Sequence, residues 1–260
     1  MTPSDEAIFR TKSDFRLPAF SCAQLAALHQ ALPALGIEPA QIVEAASYSL
    51  AMVVRYALGL SAEGGQVGAI VSDCLAGAVA LATIRHLANS GAVAQIILLG
   101  DERTFKSPAR KQLEISAKMQ TATCGWRNEA ANRPRLGSLL ESCHNIICGF
   151  SDPLNPDAPS ADSTLIEMLN EASTPLHCIE CPYGIDPDDG RPSPQALFCS
   201  STLSLGAPLK GLYNGSEYAG RHYLCDISIT PAMYESCGVN LAGLFAEQPV
   251  LQIYPLKPEE

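Results

Sequence analysis

The chain has 260 residues, with 17 Lys plus Arg against 27 Asp plus Glu and a formal charge of −10. Hydrophobic residues make up 47% and charged residues 17%, which excludes a disordered tail, a collagen-like or coiled-coil fibre and a uniformly basic nucleic-acid binder. A chain of this length can bury a sufficient core without disulfides and suits one α/β unit.

Residues 1–18 are polar and lack the apolar core of a signal peptide, so they are expected to be a mobile lead, with 19–260 as one domain. Residues 21–57 then carry helical spacing. Leu25, Leu28 and Leu32 recur at i, i+3 and i+7, and Ile42, Ala45, Ala46, Leu50 and Val53 share one face. Gly36 and Pro39 separate these two helices. The period changes at Gln66–Val71, a short run apolar on both faces and therefore a buried strand. Ala76–Asn89 reads as a helix and Gln95–Leu99 as the next strand. Together they make a βαβ unit with parallel strands.

Further helices are expected at 108–119, 135–142, 162–171 and 231–237. Strands are expected at 145–148, 176–181, 197–201, 222–229 and 250–254. The alternation predicts a three-layer, doubly wound, Rossmann-like and mostly parallel sheet, led by the two N-terminal helices. No stretch approaches the ~18 apolar residues of a membrane span. The 10 cysteines are scattered, several inside apolar runs. A cytoplasmic protein with reduced thiols, away from membranes, is the expectation.

Ligands of such a sheet bind beyond the carboxyl ends of its strands. Four segments leave a strand there. The first, Ser72–Gly77, holds Asp73, Cys74, Leu75, Ala76 and Gly77; it lacks the glycine-rich phosphate fingerprint, and Ala78, Val79 and Ala80 add no donor. The second runs from Asn145 through Gly149 to Asp152. The third carries Glu180, Tyr183 and Asp186, and the fourth Lys210. Cys178 and Cys181 have the spacing of a zinc knuckle or redox pair, but no second pair completes a tetrahedral set, and strand alternation separates them. His144, His177 and His222 fall at strand starts, away from the ligand edge, and His29 and His86 are expected to be structural. Segment 103–135 is locally basic, and Lys106, Arg110, Lys111 and Lys118 are candidates for an anion or RNA patch.

The order of these pieces resembles the YjeF N-terminal domain over residues ~20–255. The resemblance is carried by QIVEAASYSLAMVV, AIVSDCLAGAVALATIRHLANSGAVAQIILLG, IICGF, CIECPYGID, LSLGAPLKGL and AGRHYLCDISITPAMYESCGVN. That family implies either NAD(P)H-hydrate epimerase activity or the homodimerising domain of the enhancer-of-mRNA-decapping scaffold. The epimerase loop N-N-G-G-D-G falls on Leu75–Ala80, where one of six positions survives. The resemblance puts the potassium-site asparagine on Ala76 and the potassium-site aspartate on Asn145. It aligns D-I-P-S-G with Glu180-Cys-Pro-Tyr-Gly184. A hard cation wants several oxygen ligands, so the resemblance implies lost epimerase chemistry, with neither catalytic residue nor metal nor cofactor. It implies a cytoplasmic homodimer of the decapping type, with decapping and P-body granule proteins and RNA as partners. The alternatives are an epimerase acting on NAD(P)H hydrate with potassium through Glu180, Asn145 and Asp186, and a cleft that binds a nucleotide or RNA end without turnover.

Overall fold

The computed structural model describes residues 7–61, 63–126, 132–155 and 161–257. From the N-terminus come β1 (Ile8–Thr11) and β2 (Arg16–Pro18), then α1 (Cys22–Ala31) and α2 (Pro39–Met52). Next are β3 (Gln66–Val71), α3 (Leu75–Asn89), β4 (Val93–Leu99), α4 (Ala109–Lys118), β5 (Ala122–Trp126), α5 (Arg133–Ser142) and β6 (Asn145–Gly149). The chain continues through α6 (Ser163–Glu171), β7 (Leu176–Ile179), β8 (Ser201–Leu205), the one-turn helices α7 (Gly211–Asn214) and α8 (Ser216–Ala219), β9 (Arg221–Cys225), α9 (Pro231–Ser236) and β10 (Val250–Pro255).

The strands among the described residues form one ten-stranded sheet in the order β2-β1-β10-β9-β8-β7-β6-β3-β4-β5. From β5 to β9 the pairing is parallel, and β10, β1 and β2 close that edge antiparallel. The strand order reverses between β3 and β6, so a crevice opens at their carboxyl ends. Alternation along the buried strands feeds two cores. Ala69 and Val71 face α1, α2 and α3, while Ile70 and Cys148 face α5 and α6. Those helix layers on either side of the sheet are the expected three-layer architecture.

The helices begin where the sequence places caps. Ser21 Oγ accepts from Gln24 N while Gln24 Oε1 accepts from Ser21 N, a reciprocal box that opens α1. Pro39 starts α2 at a position whose missing N–H costs no hydrogen bond, and Gly36 ends the preceding turn at φ +81°.

Four expectations are corrected. Residues 8–18 are not a mobile lead: they form the sheet edge, with Phe9 and Leu17 fully buried, and residues 1–6 lie outside the described residues. The strand expected at 197–201 lies at 201–205, because Leu197 and Cys199 belong to a buried connection. The strands expected to reach 181 and 229 stop at Ile179 and Cys225. Strand β5 was not anticipated. Its residues are largely polar or small, and as an edge strand it needs only one apolar neighbour.

Candidate functional site

The crevice is a cleft of about 760 Å³ lined by α1 and α2 (Ala26, His29, Ile42), by Asp73, Cys74 and Leu75, by the 104–108 loop, and by Asp152, Leu154 and Asn155. Its floor is the turn from β3 into α3. Cys74 caps that helix, its Sγ accepting from Gly77 N at 3.3 Å. Asp152 sits over the same turn: Oδ2 accepts from Leu75 N at 3.2 Å, and Oδ1 accepts from Leu154 N at 3.1 Å. A helix N-terminus is a ready anion site, and here a carboxylate of the chain itself occupies it. Burial pushes the Asp152 carboxyl up, against the three backbone N–H donors around it.

The first turn of α3 is sealed by close packing. A Cβ on Gly77 would lie 2.0 Å from Ser72 O, and one on Gly149 would lie 2.5 Å from Ala80 Cβ and 2.7 Å from Ala76 O. Ala76, Gly77 and Gly149 therefore support the cleft from below, with their atoms buried. Asp73 holds one wall, its Oδ1 accepting from Lys106 N at 2.9 Å.

Beneath α1 lies a second pair of groups. Glu180 follows β7 and adopts φ +63°, a left-handed conformation that a side chain seldom takes. Its carboxyl is 2% exposed. Oε2 accepts from Leu205 N at 3.4 Å, while Oε1 has no hydrogen-bond partner. Burial, with Asp152 nearby adding to it, pushes this acid well up, and the Leu205 amide opposes. His29 Nε2 lies 3.9 Å from Glu180 Oε1 and 3.1 Å from Leu205 O, and its Nδ1 is unpartnered. Burial lowers the imidazole. Burial thus favours the uncharged form of both groups, and at 3.9 Å, with Nε2 donating to Leu205 O, they share neither a hydrogen bond nor an ion pair.

Among the residues expected in the cleft, Asp73, Cys74 and Leu75 line it, and Glu180 lies behind His29. Asn145 does not reach it. Strand β6 begins at Asn145 and runs parallel to β3, so this residue sits at the amino edge of the sheet. There its Oδ1 meets His177 Nε2 at 2.7 Å, and His177 Nδ1 meets Ser201 Oγ at 2.8 Å. Asp186 is also elsewhere: its Oδ1 accepts from the amides of Asp188 and Asp189 in an exposed turn. Tyr183 packs near Phe150, and its hydroxyl donates to Ala161 O.

The expected cations are spread between the cleft rim and α4. Arg110 pairs with Glu114 and donates to Glu102 O, while Lys111 and Lys118 are exposed on α4. Lys106 alone of the four lines the cleft. Arg127, in the same basic segment, lies outside the described residues. Residues Cys178 and Cys181 do not converge, since β7 ends between them and Cys181 Sγ turns toward Ile185 O. Sequence reasoning placed Asp152 in a segment at the ligand edge without a partner, and it missed His29 as a cleft residue. The signal for Asp152 was its place just beyond a strand end; His29 gave none, because its helix reaches the cleft only through tertiary packing.

The donor set does not fit potassium. Position 76 offers a methyl group, Asn145 is at the far edge, and the unpartnered Glu180 oxygen is a single donor atom on an acid that burial pushes well up. Among the described residues no group of three His, Cys, Asp or Glu side chains could hold a metal, nor is any helix long and apolar enough to cross a membrane.

Residues 39–211 match the model of the family described as YjeF-related protein N-terminus. The chain is 27% identical to the NAD(P)H-hydrate epimerase of Yarrowia lipolytica, over 74% of each chain. It is 26% identical to the bifunctional NAD(P)H-hydrate repair enzyme Nnr of Moorella thermoacetica, over 57% of this chain and 28% of that protein. A match to the NAD(P)H-hydrate epimerase of Puccinia graminis spans 46% of its length, so the chain spans less than half of these latter two relatives. The crystal structure of the yeast protein YNL200c superposes with a TM-score of 0.77 at 19% identity, covering 91% of this chain and all of that one. The chain belongs to the YjeF-related N-terminal family.

Proposed function

We propose that this family member, related to NAD(P)H-hydrate epimerases, has given up epimerase turnover and serves as a homodimeric assembly domain that keeps the ancestral cleft. The observation that carries the reading is the first turn of α3. Its side chains, from Leu75 to Ala80, offer no polar atom, and Asp152 occupies the Leu75 amide. An anionic dinucleotide arriving there would meet a carboxylate instead of free N–H groups, and like charges within a few ångströms repel. Exposed Leu35, Tyr48 and Tyr56, all in the 32–57 segment, supply apolar surface for self-association. Cytoplasmic location, the decapping type, its granule partners and RNA contact rest on the sequence resemblance.

The second reading is a working epimerase, favoured by the names of the relatives and by the His29–Glu180 pair at the cleft. Light scattering combined with an assay on hydrated NAD(P)H, followed by NMR, separates the two. The proposal expects a dimer at micromolar concentration and no epimerisation above the uncatalysed rate. A monomer would remove the assembly role. Turnover abolished by Glu180→Gln would establish the epimerase.

A further inference from the structure

On the sheet face away from the cleft, three cysteines from separate segments meet. Cys148 of β6 and Cys178 of β7 are register partners, and Cys199 lies in the buried connection that leads into β8. The Cys178 and Cys199 sulfurs are 2.8 Å apart, well inside the contact distance of two non-bonded sulfurs. All three thiols are free, and Cys148 and Cys178 are 1% exposed. Cys199, at 7%, lines a separate cavity of about 220 Å³, between the end of α6 and the start of β7, large enough to admit a small oxidant.

We propose that Cys178 and Cys199 are a reversible dithiol–disulfide site, closed by a hydroperoxide and opened by a thiol reductant.

The electrons and atoms balance with one peroxide. One sulfur attacks a peroxide oxygen: an S–O bond forms, the O–O bond breaks, one water leaves, and that thiol becomes a sulfenic acid. The second sulfur then attacks the first, the S–S bond forms, the S–O bond breaks, and a second water leaves. Two thiols are oxidised by two electrons, and hydrogen peroxide is reduced to two waters. Neighbouring thiols donate to Cys178 Sγ and pull that group down against burial, while burial pushes Cys199 up. Cys199 lines the cavity and meets the oxidant, and Cys178, the more acidic of the two, is the sulfur that then attacks it across the 2.8 Å gap.

The bond would tie the start of the β7–β8 connection to its end. That connection, which contains no helix, carries Tyr183 and Asp188, and Asp188 Oδ1 accepts from Cys22 N at the start of α1. Closing the disulfide therefore constrains a segment that anchors one wall of the cleft.

The test is thiol counting and peptide mapping of the whole protein, treated with hydrogen peroxide and then unfolded under an alkylating agent. The expected result is a fall from ten free thiols to eight, one linked peptide pair joining Cys178 to Cys199, and recovery of ten after dithiothreitol. Cys148→Ser should form the same bond, and Cys199→Ser should keep all nine of its thiols under the same dose. Mapping of the unsubstituted protein decides the matter even if a variant fails to fold. Retention of ten thiols at a peroxide dose that oxidises free glutathione would overturn the proposal, as would a Cys148–Cys178 link or irreversible oxidation of Cys199 alone.

Discussion

Replacing Glu180 with Gln isolates the cost of burying a carboxyl that no cation among the described residues neutralises. In the folded chain the acid is 2% exposed, and its only imidazole neighbour is 3.9 Å away and itself held neutral by burial. Folding above the ordinary carboxyl range therefore takes up a proton. The folded pKa is raised above the unfolded one. The contribution of this group to stability is thus fully present below about pH 4.3, and it is lost at about 1.4 kcal/mol per pH unit as the pH rises toward the folded pKa. Gln is neutral in both states and escapes that loss. Its amide places a donor where the protonated acid already has one without a partner, so any constant difference between the two proteins does not vary with pH. The slope, not the offset, is therefore diagnostic. Urea unfolding of both proteins between pH 4.5 and pH 8 should show the variant gaining on the parent with rising pH, by about 1.4 kcal/mol per unit until the folded carboxyl ionises. Parallel curves, or a gap that moves the other way, would refute a protonated Glu180.

Asp152→Ala should cost about 1–2 kcal/mol in urea unfolding, through lost acceptors for Leu75 N and Leu154 N. An unchanged midpoint would mean that water replaces the carboxylate without penalty. Acid should weaken the fold through two buried histidines, His177 held down to about 4 and His222 to about 3. Both folded values lie below the usual 6.5, so this stability is complete above pH 6.5 and is lost as pH falls toward the folded values, on the order of 3 and 5 kcal/mol. Urea midpoints from pH 7 to pH 4 in the double variant His177→Gln, His222→Gln should fall less steeply than in the parent. An equally steep fall would assign acid sensitivity elsewhere.

The legible part of the fold was the part in which each strand is buried on both faces. Residues 67–71 and 146–148 are uninterrupted apolar runs, and the central sheet makes that pattern compulsory. The N-terminal edge failed for the opposite reason. Between Ile8 and Pro18 only alternate residues are buried, over strands of four and three residues, too short for a period to rise above the polar background. Its stability comes from β10, some 240 residues later, which no local pattern encodes.

The cleft obeyed strand direction more faithfully than it obeyed motif alignment. Matching by motif set Asn145 among the ligand residues, yet a parallel strand of five residues carries its first side chain to the opposite edge, about 13 Å away at 3.3 Å per residue. The same rule moves Gly149 and Asp152 toward the cleft, and there Asp152 lies on the amide of Leu75. A carboxyl on that amide is what gives the proposed loss of phosphate binding a physical basis. The alkyl side chains of 75–80 remove donors, which weakens an anion site, but the backbone N–H groups of a helix N-terminus survive any substitution except proline. Internal acceptors take them out of use: Asp152 holds the Leu75 amide, and Cys74 Sγ holds that of Gly77. Asp152 is therefore more informative about the cleft than the degenerate loop that first drew notice.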